Sequence, residues 1–208
     1  MTLIFDFDGT LVHSKKIWLF TFKKALRKHG FKFKYQEIEP YLGPTVKGVL
    51  ERLIDKKDKK LTEKITKEVY DLRNKIGIEL KLRSQPSLLK RLASLYTLIL
   101  RTNSDYASTS KFLKRHKIFN LWKMIITPEK KIGRSKIKAL KFIKNRFKPP
   151  FIYLADMRDD IRVAKTVRIE TIALSGGWEK EKDLKKENPN FLIKRLNSLP
   201  KILEKINL

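Results

Sequence analysis

Short apolar runs that end in a polar or acidic residue alternate with helical periods along much of this chain. That alternation constrains the fold more than any other feature. TLIFDF at 2–7, YTLILRTN at 96–103, Met124 to Thr127, FIYLAD at 151–156 and ETIAL at 170–174 each read as a strand. Helical patterning falls between them, at Ser108 to His116, Ser135 to Phe147 and Asp159 to Val167, with a last helix over about 195–206. Strands separated by helices pair in parallel through right-handed crossovers. The expected class is therefore α/β, with a Rossmann-like parallel sheet.

One long stretch breaks the alternation. Between 15 and 95 nothing reads as a strand. Trp18, Phe22 and Leu26 recur every four residues up to a stop at Gly30, and further helical patterns cover about 45–55, 61–76 and 86–95. This predicts a core made of residues 1–14 and 91–208, with an all-helical insertion, 15–90, after the first strand. In open parallel sheets, ligands bind outside the carboxyl ends of the strands. The residues just after each strand are therefore the candidates for chemistry.

After the first strand stand Asp6, Phe7, Asp8, Gly9 and Thr10. Two carboxylates one residue apart leave an extended strand on the same side. Such a pair suits a divalent cation, which prefers hard oxygen donors. It also suits a division of labour between a nucleophile and a proton carrier. Gly9 lets the backbone turn closely around a phosphate. After the second strand, Thr102, Asn103 and Ser104 offer a hydroxyl and backbone N–H groups to a phosphate oxygen. After FIYLA comes Asp156, placed to complete a metal site with Asp6; Asp160, near the start of the next helix, is a candidate supporting partner or distant ligand of that site, or with Asp159 a first-turn acid, the reading preferred for Asp159. A cation to balance these acids should come from Lys130, Lys131, Arg134 or Lys136.

Composition narrows the class. Hydrophobic residues make up 41% and charged residues 34%, a globular balance rather than a disordered one. No apolar run reaches the roughly 18 residues of a membrane helix, and Asp6 and Asp8 cut the apolar start too short for a signal peptide. The expectation is a cytoplasmic protein. With no cysteine, disulfides and thiolate catalysis are excluded. The formal charge of +27 raises a nucleic-acid partner. However, the charge is spread, with 22 basic and 9 acidic residues over 15–92 and 27 and 11 over 93–208. A spread charge favours a solvated surface that attracts small anionic substrates over a nucleic-acid interface.

Together these segments resemble the haloacid dehalogenase-like hydrolase superfamily. FDFDGTLVHS resembles its first motif, LILRTNS its second, and YLADMRDDIRVAKTVRIETIAL its fourth. The helical insertion resembles the C1-type cap of the phosphoglycolate phosphatase-like branch, as do Tyr41-Leu42-Gly43 and Ser175-Gly176-Gly177-Trp178. The resemblance implies a Mg²⁺-dependent phosphatase acting on a small phosphorylated substrate. Asp6 would be the nucleophile and Asp8 the acid and base. Thr102 would bind the phosphoryl group, with Gly9 and Asn103 beside it. Asp6, Asp156 and the main-chain carbonyl of Asp8 would hold the metal. The family spacing selects Lys131 as the third-motif lysine, with Lys136 as the alternative. Ala155, Met157 and His13 depart from the common pattern, and no Lys-Pro pair marks the third motif. The presence of Asp8 favours phosphoryl transfer over carbon–halogen cleavage. A phosphomutase on the same scaffold, or a basic nucleic-acid-binding protein that keeps the fold, are the competing readings.

Overall fold

The computed structural model describes residues 1–43, 45–54, 58–76, 80–129 and 131–206, with backbone alone at Lys131 and Arg134. In chain order the elements are β1 (Thr2–Asp6), β2 (Val12–His13), α1 (Lys15–Lys28), α2 (Tyr35–Ile38), α3 (Val46–Leu53) and α4 (Lys59–Ile76). Then follow β3 (Lys81–Leu82), α5 (Pro86–Leu95), β4 (Thr97–Arg101), α6 (Tyr106–Arg115), β5 (Trp122–Ile126) and α7 (Lys136–Arg146). The chain ends with β6 (Phe151–Ala155), α8 (Arg158–Thr166), β7 (Glu170–Leu174), α9 (Glu181–Lys185), β8 (Phe191–Ile193) and α10 (Leu199–Ile206).

The chain divides into two compact units, one of Met1–His13 with Lys81–Leu208 and one of Ser14–Leu80. The first holds a six-stranded sheet in the order β5-β4-β1-β6-β7-β8. All five pairings in it are parallel. The central β1 is buried along its whole length, which is why it reads as an unbroken apolar run and not as an alternating one. Ile4, Ile99, Ile126, Tyr153 and Ala155 pack with Ala139, Leu140 and Ile143 of α7 and Ala164 of α8 in one buried cluster. This packing brings the N-terminal ends of α7 and α8 to the edge where β1, β4 and β6 end.

Residues 81–90, assigned to the insertion on sequence, fall in the sheet unit. There β3 pairs antiparallel with β2, matching Val12 with Leu82 and His13 with Lys81. Two residues are too few to show a period, so this strand left no pattern in the sequence. Pro86 then opens α5, where its missing N–H costs nothing. The three-residue β8 was also missed, for the same reason of length.

In the helical unit, α1 buries Trp18, Leu19, Thr21, Phe22, Ala25 and Leu26. Facing residues of α4 include Ile65, Val69 and Arg73. Tyr70 meets the Trp18 ring edge-on at 6.1 Å, and the Arg73 guanidinium lies 5.3 Å from its centre. Gly30 ends α1 as its position suggests. At φ +85°, its N–H bonds to Arg27 O at 3.1 Å, and Phe31 N–H bonds to Leu26 O at 3.1 Å. Those two bonds satisfy carbonyls that the helix end would otherwise leave open. Among the described residues no helix is long and apolar enough to cross a membrane.

Candidate active site

The first-motif turn and the end of β6 meet around Asp156, which is fully buried. Its Oδ1 accepts from Thr10 Oγ1 at 2.8 Å and its Oδ2 from the Trp178 N–H at 2.6 Å. Gly9 sits at φ +78°, and a Cβ there would collide with the Asp156 carboxylate and the Trp178 ring. A Cβ at Gly177 would strike the same carboxylate. Both glycines are thus required by close approach, and Gly9 by its left-handed backbone as well. Arg83, just after β3, donates to the carbonyls of Gly9 and of Ser175, the latter at 2.7 Å, and ties the two loops together.

Asp6 closes β1 with 8% of its surface exposed. Burial pushes its carboxyl well above the ordinary aspartate range, and the charges of Asp160 and Asp156 push the same way. Lys136 and Arg101 pull against them. Burial likewise raises Asp156 to about 7, despite the bonds from Trp178 and Thr10 that favour its ionised form. Asp8 is half-buried, and its Oδ2 accepts from Ser104 Oγ at 2.6 Å. The first-motif acid thereby reaches the loop after β4. In that loop Thr102 is buried, and its Oγ1 accepts from the Ser104 N–H at 2.9 Å.

A second charged group lies where α7 and α8 begin. Lys136 Nζ is 2.6 Å from Asp160 Oδ1 and 3.5 Å from Asp159 Oδ2. Asp160 also accepts from Tyr153 Oη at 2.8 Å. Burial works against the Lys136 ammonium, but Asp160 and Asp6 outweigh it and hold its pKa above that of an ordinary lysine. Lys136 therefore senses both acids. The sequence reading favoured Lys131, whose backbone forms a 3₁₀ turn before α7 and whose side chain lies outside the described residues, as do Lys130 and the Arg134 side chain. Lys136, its alternative, is the lysine the described residues bring to the acids.

Among the described residues, no three His, Cys, Asp or Glu side chains cluster as a metal site by themselves. Two carboxylates and a main-chain carbonyl would not form such a cluster. What the geometry does offer is two buried aspartates, Asp6 and Asp156, both raised by burial, with the charge of Asp156 adding to the cost of ionising Asp6. A divalent cation offsets that repulsion, and all the donors are hard oxygens. The donor set fits Mg²⁺.

Several participants escaped the sequence reading. Thr10 stands inside the quoted motif, yet its bond to Asp156 spans 146 positions. Tyr153 looks like a core residue in an apolar run. Arg83 carries no local signal. Arg101 had one: a charged residue at the end of a strand that is otherwise buried.

Residues 3–174 match the family described as haloacid dehalogenase-like hydrolase. A phosphoglycolate phosphatase from Colwellia psychrerythraea is 24% identical over 212 residues, covering 95% of this chain and 94% of its own. A haloacid dehalogenase-like hydrolase from Streptococcus pneumoniae superposes with a TM-score of 0.84 at 20% identity, covering 97% of each chain. A protein described as a predicted phosphoglycolate phosphatase from Haemophilus somnus does so with a TM-score of 0.84 at 16% identity, again covering 97% of each. With the profile spanning most of its length and the fold matched end to end, this chain belongs to the haloacid dehalogenase-like hydrolase family.

Proposed function

We propose that this protein is a Mg²⁺-dependent phosphatase that hydrolyses a small phosphate monoester, as the phosphoglycolate phosphatases it is similar to are named for doing. One observation carries the reading. A buried aspartate at the end of β1 lies within electrostatic reach of a second aspartate at the end of β6 and of a lysine from the start of α7.

A phosphate monoester dianion and a carboxylate repel each other, so the site must supply positive charge before they can approach. Mg²⁺ held by Asp6, Asp156 and the Asp8 carbonyl would supply part of it and stabilise charge on the phosphoryl oxygens. Lys136 supplies the rest from the protein side, held in place by Asp160. The Asp6 carboxylate attacks phosphorus, the ester P–O bond breaks, and Asp8 gives its proton to the leaving alkoxide. The resulting aspartyl-phosphate is hydrolysed when Asp8, now ionised, takes a proton from water, which attacks phosphorus and restores Asp6. Ser104 Oγ orients Asp8 for both steps. Thr102 and Asn103 receive the phosphoryl oxygens as it moves.

The test is turnover of p-nitrophenyl phosphate and a panel of small phosphate esters with Mg²⁺. Asp6→Asn should lower kcat by on the order of 10³-fold or more, as removal of a nucleophile does. Chelation should abolish turnover, and readdition of Mg²⁺ restore it. Full activity in Asp6→Asn, or in chelator, sinks the proposal. Release of inorganic phosphate, rather than its transfer to a sugar, separates a phosphatase from a phosphomutase.

A further inference from the structure

Arg101 is the last residue of β4 and is 1% exposed. Taking an unpaired guanidinium out of water costs several kcal/mol, so a chain keeps one there only if it is used. Arg101 pairs in register with Asp6 across the β1–β4 ladder, so both side chains leave the sheet on one face. That face is the one covered by α7 and α8, since Ile99 and Ile4, two residues earlier in each strand, belong to the cluster those helices bury. Strand alternation thus calls for an apolar side chain at 101, and an arginine stands there.

Its partners explain its direction. Arg101 Nη2 donates to Asn103 Oδ1 at 2.7 Å and reaches Gly133 O at 3.4 Å. Asn103 belongs to the loop that follows β4, and Gly133 to the turn that leads into Lys136. Gly133 approaches its neighbour closely, and a Cβ there would strike the Thr127 carbonyl. Among the described residues, Nε and Nη1 of Arg101 have no hydrogen-bond partner, and neither has Oδ2 of Asp160. All of these atoms are sealed from solvent, which rules out direct contact with a substrate docked in this arrangement. The charge of Arg101 is nevertheless felt at Asp6, Lys136 and Tyr153.

We propose that Arg101 is a positioning residue for phosphoryl transfer: it adds a second fixed cation beneath Asp6 and, through Asn103 and the Gly133 turn, holds the loop after β4 and the start of α7 in working register. This rests on the phosphatase reading and deepens it. Asp6 then faces two cations, Lys136 and Arg101, which offset the charges of Asp160 and Asp156 and reduce the negative charge that an arriving phosphate meets. Unlike lysine, arginine stays charged at any working pH and can span two acceptors with one planar group.

The experiment is a double-mutant cycle of Arg101→Met and Asn103→Ala, with Arg101→Lys alongside, read by p-nitrophenyl phosphate kinetics with Mg²⁺ on folded protein. Arg101→Met should lower kcat at least about tenfold with KM changed less than about threefold, and the double variant should lose less than the product of the two single losses, as coupled sites do. Arg101→Lys should recover part of kcat because it restores the charge. A merely structural arginine would lower the melting temperature and leave kcat of the folded enzyme within threefold of the parent, which overturns the proposal. Losses that multiply in the double variant overturn it too. If Arg101→Met fails to fold, Arg101→Gln, which also removes the charge, takes its place in the cycle and is read by the same thresholds. Inorganic phosphate affinity, read by thermal shift, follows the cycle without turnover. A parent that hydrolyses no ester, yet binds phosphate less tightly in each single variant and by less than the product of those losses in the double, would end the phosphatase reading and leave the role of Arg101 standing.

Discussion

In the helical unit, Lys47 and Glu51 lie 3.9 Å apart on α3, with 54% and 42% of their side chains exposed. In the sheet unit, Lys136 and Asp160 lie 2.6 Å apart, with 10% and 1% exposed. The same two kinds of group therefore work under opposite conditions. Water screens the first pair, and its attraction barely exceeds the entropy lost in forming it. The second pair has surrendered its hydration and depends on its partners. Arg73 makes the point from the other side: the helical unit buries one arginine against the face of Trp18, where packing and cation–π attraction hold it. Arg101 instead lies in register with Asp6 and bonds to Asn103 and Gly133. Buried charge in the sheet unit gathers where β1, β4 and β6 end, and that concentration marks the site more clearly than the overall charge of +27 does.

The comparison is most easily broken at Lys136. Lys136→Met leaves Asp160 buried without its cation, which should cost about 3–5 kcal/mol of stability and lower kcat by about 10²–10³-fold. Urea unfolding and steady-state kinetics measure the two losses, and a variant as stable and active as the parent would show that the buried pair is idle.

Asp156 offers a pH test. Its carboxyl holds a proton up to about pH 7 in the folded protein but only up to about 4 in the unfolded chain. The folded state therefore binds the proton more tightly, and metal-free protein should lose stability as pH rises from about 4 to 7, by on the order of 3 kcal/mol. Asp156→Asn should reduce that trend and leave the part that the raised Asp6 carboxyl contributes in the same direction, and Mg²⁺ should oppose it, binding more strongly as the proton leaves. Melting temperatures across this range, with and without Mg²⁺, check both; a metal-free protein equally stable at pH 4 and pH 7 contradicts them.

Gly9→Ala should cost about 1–3 kcal/mol through its positive φ and remove most activity, because the new methyl group displaces the Asp156 carboxylate. Thermal melting and turnover would show a small Tm change beside a large kcat change if the clash is relieved by moving that carboxylate. The smallest effect belongs to the helical unit. Glu51→Gln should change stability by less than about 0.5 kcal/mol and leave kcat unaltered, and a larger loss there would erase the contrast between the two regions.

Much of this was written locally. An apolar run that ends in Asp6-Phe7-Asp8-Gly9-Thr10 reports both a buried strand and a polar turn, because burial on both faces demands apolar side chains and the strand end releases them. Asp156 was legible for the same reason. Helix α1 was legible in its period and in the glycine that stops it. Short elements were not: β2, β3 and β8 carry two or three residues each, and their pairing comes from neighbours distant in the chain. The boundary near Leu80 was missed with β3, since only its pairing with β2 shows that the chain has returned to the sheet unit.

The amino-acid order by itself determined the alternation of strands and helices, and with it the parallel class and the place where acids would gather, since hydrophobic period and turn chemistry act over a few residues. Only the tertiary structure decided which lysine faces Asp160, that Thr10 and the Trp178 N–H hold Asp156, and that Arg101 shares a face with Asp6. Those facts depend on strand register and on how α7 and α8 pack against the sheet. Charge interactions act through space, so a chain of many near-identical lysines leaves the choice among them to the packing.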